Sequence, residues 1–304
     1  MDVVGRKRYF LGLSAVLVII GIIFISIPPR LNLGIDFTSG TSFDLEFTDD
    51  VATEDVRAAL SAAGHGDAII QKAGDREFFI RTRDLGQSGI EEIQAEINTS
   101  ISLDYRIPSV TSVGQSVADD TVRNAIIAVI VAALFVMLYV MYAFRTVPRS
   151  YRYAIAAIIA LGHDVFIVLG LFSILGHVID AEVNAIFIVG ILTVIGYSVH
   201  DTIVIFDRIR ENVSLAPSRP FSASVNISIN ESFARSLSTS ITTALTILAL
   251  LLFGGETLRD FLIVLLSGVI VGTYSSIFLA AQILVAWENR DYRKLKFWGR
   301  ATAN

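Results

Sequence analysis

The chain has 304 residues, 53% of them hydrophobic and 17% charged, with a formal net charge of −5 and no cysteine. Without cysteine there are no disulfides, thiolate nucleophiles or cysteine-held metals. Soluble domains are also about half apolar, so the arrangement of the apolar residues decides the class rather than their fraction.

About 20 helical residues cross the ~30 Å of hydrocarbon in a bilayer. Six apolar windows reach that length: Tyr9–Ile27, Asn124–Phe144, Tyr151–Gly176, Ala181–Phe206, Ser236–Gly255 and Phe261–Trp287. "GRKR" precedes the first, which is longer than a signal-peptide core and lacks a small-residue cleavage site after "SIPPR", so it is read as a retained helix. The fold class expected is a polytopic α-helical membrane protein.

The one large polar segment, about Pro28 to Asp120, comes after the first window. "TSFDLEF" alternates Phe43, Leu45 and Phe47 with polar residues, as a half-buried strand does. "TEDVRAALSAAG" predicts a helix with Thr53 as its cap and Gly64 at its stop. "AIIQKAG" and "REFFIRTR" predict two strands around a turn at Gly74–Asp75. "SGIEEIQAEINTSIS" predicts a second helix and "YRIPSVTSVG" a last strand. The order β-α-β-β-α-β suggests a ferredoxin-like α+β plait. His65 and His177 are isolated and expected in loops or at the surface.

Lysine and arginine cluster in "GRKR", "FRTVPRSYR", "DRIRENVSLAPSRP" and the basic tail "ENRDYRKLKFWGR", whereas "GHVIDAEVN" and "GGETLRD" hold one arginine between them. By the positive-inside rule both termini are cytoplasmic and the polar domain extracytoplasmic. The expected organisation is residues 1–29 as N-terminus and first helix, 30–120 as the exported domain, 121–287 as five more helices, and 288–304 as a cytoplasmic tail. Gly268, Gly272, Ser275 and Ser276 give the last helix a small-residue face, suited to close packing within the bundle or to a subunit interface.

Ionisable residues interrupt two windows: His163 and Asp164 in the third, His200 and Asp201 in the fourth. A charge at bilayer depth costs at least ~2.5–3.5 kcal/mol, and such residues usually serve ion or proton pathways. With Asp207 and Arg208 taken as the end of the fourth helix, six residues of ~1.5 Å rise place Asp201 about 9 Å inside. Gly190, Thr193, Tyr197, Asp201 and Arg208 recur at helical spacing, as do Arg235, Ser238, Thr242 and Thr246 on the fifth helix. Asp201 and Arg235 are therefore expected at one depth, either as a pair able to switch the carboxylate's proton affinity or with Arg235 snorkelling to the headgroups. Asp164 and His163 suit either a relay or an interhelical packing bond. There is no P-loop, no nucleophile–base spacing outside the membrane, no metal-ligand cluster and no basic, aromatic-interleaved patch, so neither an enzyme nor nucleic-acid binding is expected.

Several segments resemble the SecD/SecF family of protein-export membrane subunits, within the RND-type transporters. "LNLGIDFTSGTSFDLEF" is similar to its "LGxDFxGGT" motif through Gly34, Asp36, Phe37, Gly40 and Thr41. "GYSVHDTIVIFDRIREN", with Gly196, Asp207 and Arg208, resembles the fourth-helix signature of the SecF branch, and "NESFARSLSTSITT" the start of its fifth helix. "FGGETLRDF" and "SGVIVGTYSSIFLA" resemble the family's next loop and sixth helix. The resemblance implies half of an RND-type bundle completed by SecD. It implies action with the SecYEG channel, YajC and YidC-type accessory proteins on a translocating polypeptide, in a bacterial inner membrane and in contact with its lipids; the alternative reading is a stand-alone RND-type exporter of lipids or small molecules. It implies no bound cofactor, with the proton as coupling ion and sodium possible in some members. Asp201 and Arg235 match the family's relay acid and arginine. Ser39 stands where the motif has its first glycine, and His200 where asparagine is common. His200 suits either a titrating relay member or a hydrogen-bonding stand-in.

Overall fold

The computed structural model describes residues 1–304 except 29, 73, 75, 86–88, 102, 148, 256–257 and 289–304. The expected turn at Asp75, the helix start at Ser88, part of the "GGETLRD" loop and nearly all of the basic tail lie outside the described residues. In chain order, helix α1 (Lys7–Ser26) leads into a short α2 (Ile35–Thr38) that the sequence pattern does not announce. Strand β1 (Gly40–Phe47), α3 (Thr53–Ala62), β2 (Ile69–Lys72), β3 (Glu77–Thr82), α4 (Gly89–Ser100), β4 (Tyr105–Arg106) and β5 (Val110–Val113) come next. Then come α5 (Gln115–Ala143), α6 (Tyr151–Val178), α7 (Ala185–Leu215) and α8 (Phe221–Phe253). The last span is α9 (Arg259–Ser275), one π-helical turn (Ser276–Ala280) and α10 (Ala281–Glu288).

Among the described residues, six helices, counting that span as one, are long and apolar enough to cross a membrane. The chain is an integral membrane protein. The helices outrun the apolar windows, and α7 does not end at Asp207 and Arg208 as expected. Ion pairs Asp207–Arg210 at 2.6 Å and Arg208–Glu211 at 2.5 Å continue α7 as a polar helix to Leu215. Such i,i+3 pairs support a helix outside an apolar environment. Pro217 and Pro220 then prevent α7 and α8 from merging.

The chain divides into two compact units. The first comprises Met1–Arg30, Ala128–Leu175 and Val189–Asn304; the second comprises Leu31–Ile127 and Gly176–Ile188. In the second unit the strands form an antiparallel sheet in the order β2-β3-β1-β4, with β5 continuing along β1 beyond β4. The last expected strand is thus two pieces on one edge. Pro108, which has no N–H to donate, lies in the gap. Phe43, Leu45 and Phe47 of β1 point to one face and bury against Phe78, Ile80, Leu60, Ile93 and Ile97, so α3 and α4 cover the same side. Thr53 is not a cap: Ala52 holds the capping position without a side-chain bond, and Thr53 is the first helical residue. Glu54 and Asp55 in the first turn favour the helix start through the macrodipole. His65 is buried, with Nδ1 3.4 Å from the Thr82 hydroxyl, against the expectation of a surface position; His177 is exposed.

In the first unit, backbones approach closely at glycines. A Cβ on Gly268 would lie 2.1 Å from Val194 of α7, and one on Gly170 2.6 Å from Gly21 of α1. The small-residue face of the last span therefore packs inside the chain, against α7. Phe144 stacks on Tyr153 at a centroid distance of 5.2 Å, and Phe206 meets the two rings edge-to-face at 6.1 and 5.3 Å, where α5, α6 and α7 meet. Residues 1–4 lie along α8, where Asn226 Oδ1 accepts the Val3 and Val4 N–H groups.

Backbone strain and close packing can each be tested at one position. Ser39 has φ 60° and ψ 169°, and Gly40 has φ 130°. The Ser39 conformation is nearly exclusive to glycine and costs about 1–3 kcal/mol. Its hydroxyl donates to Gln115 Oε1 at 2.9 Å. Glycine's extra chain entropy costs about 0.5–1 kcal/mol. S39G should therefore stabilise the second unit by about 1 kcal/mol, read as a raised unfolding midpoint in detergent; a lowered midpoint would mean that the Gln115 bond outweighs the strain. Gly268→Ala should destabilise by about 1–3 kcal/mol through overpacking, and adding Val194→Ala should restore most of the loss in the same assay.

Candidate functional site

Helix α7 carries polar side chains in a mainly apolar run, and the helices beside it answer them with hydroxyls. Asp201 is 8% exposed. Its Oδ1 accepts a hydrogen bond from Ser236 of α8 at 2.6 Å, while Oδ2 is buried without a hydrogen-bond partner. Ser236 belongs to a stripe of Ser224, Ser228, Ser232, Ser236 and Ser240, all buried and spaced by four residues. That spacing keeps them on one face, and their small size brings α8 close to α7. Ser240 accepts from the Tyr197 hydroxyl at 3.0 Å and bonds to Thr273 of α9.

Around the free side of Asp201 lies a small cavity of about 50 Å³, lined by Tyr197, His200, Asp201, Val204, Arg235, Ser236 and Thr239. That is room for water beside the unpartnered oxygen. Arg235 reaches this cavity as the sequence suggests, but it is exposed and forms no ion pair with Asp201. The expected contact face of α8 is also displaced. Ser238, Thr242 and Thr246 are exposed, and the serine stripe holds the interface in their place. One residue of offset along a helix is about 100° of rotation, enough to exchange the two faces. On α7, Gly190 packs on Val264 and Tyr197 and Asp201 share the cavity, whereas Thr193 and Gly196 are exposed.

Asp164 forms a separate cluster. It is 0% exposed, and its Oδ2 accepts from Ser198 of α7 at 2.6 Å and from Ser275 of α9 at 2.7 Å. His163 Nδ1 lies 3.0 Å from Oδ1. Ser276, where the π turn begins, donates to the Ser198 carbonyl at 3.1 Å and pairs with Thr202 at 2.7 Å. Three helices thus meet on one carboxyl with both oxygens engaged. The two acids share no hydrogen bond, although Ser198 and Asp201 are one turn apart on α7.

The charged end of α7 is tied to α8. Glu231 of α8 accepts from Arg208 Nε and from Asn212 Nδ2, both at 2.7 Å, and Asn212 also reaches Ser228 at 3.0 Å. The glycine-motif residues lie in the second unit. Gly34 N–H donates to the Val183 carbonyl at 2.9 Å, and Asp36 Oδ2 accepts from the Ala185 N–H at 2.8 Å, capping α7. Phe37 is half-buried, and the Thr41 hydroxyl oxygen accepts from the Leu85 N–H at 3.1 Å. Residue type alone singles out the acids and the arginine and passes over Ser198, Ser236, Ser240 and Ser275. The four-residue serine spacing through "SASVNISINESFARSLSTS" is the signal that could have found the stripe.

Residues 93–290 match the family model described as protein export membrane protein SecD/SecF, C-terminal, and residues 29–51 match the SecD/SecF GG motif. A protein translocase subunit SecF of Thermobaculum terrenum is 40% identical over 97% of this chain and 96% of its own length. A protein translocase subunit SecDF of Bacillus subtilis is 35% identical over 96% of this chain, which spans 39% of that longer relative. The crystal structure of SecDF from Thermus thermophilus, a translocon-associated membrane protein, superposes with a TM-score of 0.85 at 35% identity, over 95% of this chain and 39% of that one. A SecDF structure in a super-membrane-facing form gives a TM-score of 0.68 over 97% of this chain. A family model across residues 93–290 and a relative 40% identical over nearly its whole length show that this chain belongs to the SecD/SecF family of protein-export membrane proteins.

Proposed function

We propose that this chain is an accessory subunit of Sec-dependent protein export, working with SecD and using an ion gradient, most simply of protons, to help draw a translocating chain through SecYEG. It catalyses no covalent chemistry and carries no cofactor in this reading. Asp201 is the group that gains and loses the coupling proton, and Arg235 is the cation that approaches or leaves it. The observation that carries the reading is the unpartnered, buried Oδ2 of Asp201 beside a cavity that Arg235 also lines. A carboxyl with one oxygen held by Ser236 and the other facing water space can exchange a proton without losing its place. A buried group that engages all of its partners cannot do so as easily, and Asp164 is of that kind.

SecD as partner is supported by the SecDF relatives, in which this length of chain is 39% of a longer protein. The polar unit is read as ferredoxin-like, since two helices cover one face of an antiparallel sheet ordered β2-β3-β1-β4. It lies outside the cytoplasm, with both termini inside, on the distribution of lysine and arginine. Five helices complete the bundle after it, and the basic tail beyond the last span is cytoplasmic.

Asp201→Asn keeps the size and the Ser236 bond, so association with SecD and thermal stability should be unchanged. In vesicles containing the SecD pair, ion flux and stimulated export should both fall by about a hundredfold or more, the least expected on losing a proton-transfer group. Arg235→Ala should reduce both, and Arg235→Lys less so, because lysine keeps the charge but not the planar fork. Imposing a sodium gradient in place of a proton gradient identifies the ion. Full export by Asp201→Asn would overturn the relay role.

A further inference from the structure

The loop between α6 and α7 is built into the second unit by backbone and side-chain contacts. Residues Leu33 and Val183 form a parallel bridge, with the Val183 N–H donating to the Asn32 carbonyl at 2.8 Å. The Asp180 carbonyl accepts from Asn32 Nδ2 at 3.1 Å and from Gln71 Nε2 of β2 at 2.9 Å. Arg81 of β3 joins these parts. It forms an ion pair with Glu182 at 2.9 Å, donates to the Leu33 carbonyl at 2.7 Å, and donates to Asn32 Oδ1 at 2.9 Å. The Arg81 and Glu182 side chains are only 11% and 12% exposed. Gly34 allows the approach, since a Cβ there would stand 3.1 Å from both Glu182 Oε2 and Asn184 Cβ.

This clamp ends on α7. Asp36 Oδ2 takes the Ala185 N–H and Asn184 Oδ1 takes the Phe187 N–H, at 2.8 and 2.9 Å, so two of the otherwise unsatisfied first-turn donors are held. From there α7 runs unbroken through Asp201. An α-helix of this length is stiff along its axis.

We propose that Arg81 and Asp36 are positioning residues that make the start of α7 part of the polar domain, so that displacement of the domain is delivered along α7 to Asp201. This rests on Asp201 being the relay group. A merely stabilising clamp would hold the domain together with no bearing on coupling. A coupling clamp must stay closed throughout the export cycle. Neutralising Arg81 removes its ion pair with the buried Glu182 and its bonds to the Leu33 carbonyl and Asn32 Oδ1, which should open the clamp.

The test uses the whole chain with SecD and the Sec channel in vesicles, with ion flux and export read separately. The chain has no cysteine, so a Leu33→Cys, Val183→Cys pair is the only disulfide available. Neighbouring strand positions lie within the Cα separations that disulfides accept. Oxidised and reduced forms of this pair should export equally, because the two segments move as one body. Arg81→Gln should keep Asp201-dependent flux within about twofold while export falls about tenfold, a range usual for coupling between sites. Adding the oxidised cysteine pair to Arg81→Gln should restore export, and reductant should abolish the rescue. Asp36→Asn should uncouple in the same direction and less completely. Export blocked by the oxidised pair alone, and recovered on reduction, would overturn the proposal, since the clamp would then have to open. Arg81→Gln with unchanged export would overturn it as well. Failure of the relay reading has a different signature: wild-type vesicles would show no flux that depends on Asp201, whatever the cysteine pair does.

Discussion

Every oxygen of a carboxyl group placed inside an apolar helix needs a donor or water, because hydrocarbon provides neither. The two intramembrane acids meet that constraint in opposite ways. Asp164 has two serines on one oxygen and a histidine on the other, from α6, α7 and α9. Asp201 has one serine and one oxygen left over. Hydrogen bonds between membrane helices are worth about 0.6 kcal/mol on average, so neither cluster holds the bundle by itself. Their value is in orientation. They place α7 at a defined rotation and leave one acceptor of Asp201 available.

Small residues make those bonds reachable. A serine hydroxyl extends little beyond Cβ, so it meets a carboxylate across an interface only where the helices nearly touch. Gly268 on Val194 and Gly272 on Ser198 supply that proximity between α7 and α9, and the serine stripe supplies it between α7 and α8. The π turn at Ser276–Ala280 fits the same requirement. It begins at the residue bonded to Thr202 and to the Ser198 carbonyl, where an added residue per turn re-aims the side chains. Single π turns of this kind are frequent at functional sites.

Much of this is legible in the residues, in proportion to how local each feature is. The six spans, the β1 alternation of Phe43, Leu45 and Phe47, and the two acids depend on short-range pattern and hydrophobicity. The rotation of α8 does not. Arg235 draws attention to its own face because charge is conspicuous, yet the interface is decided by Ser236, one residue on and about 100° around. The end of α7 is misplaced for a related reason. Charged residues mark where an apolar window stops, but helix propensity and the ion pairs around Asp207 and Arg208 carry the helix further. His65 looks like a surface residue in the sequence because a lone histidine carries no sign of the Thr82 partner that accommodates it in the core. The clamp on the α6–α7 loop is invisible there because Arg81 and Glu182 are far apart in the chain and unremarkable in their own segments.

Helix α7 is thus tied near both ends as well as along its middle. Asp36 and Asn184 hold its first turn, while Glu231 ties Arg208 and Asn212 to α8 near its other end. Asp201 lies between these anchors, beside a cavity open toward Arg235. The exposed face of α8 then acquires a meaning. Arg235, Ser238, Thr242 and Thr246 form a polar strip on a membrane-spanning helix, a poor surface for lipid tails. Within the SecDF relatives such a length of chain has more than half of a longer protein beside it. A partner's helices over that strip would close the cavity from its open side. If Asp201 is the proposed relay group, its proton affinity would then be decided jointly by the two proteins, with this chain supplying the acid and the partner regulating its access to water.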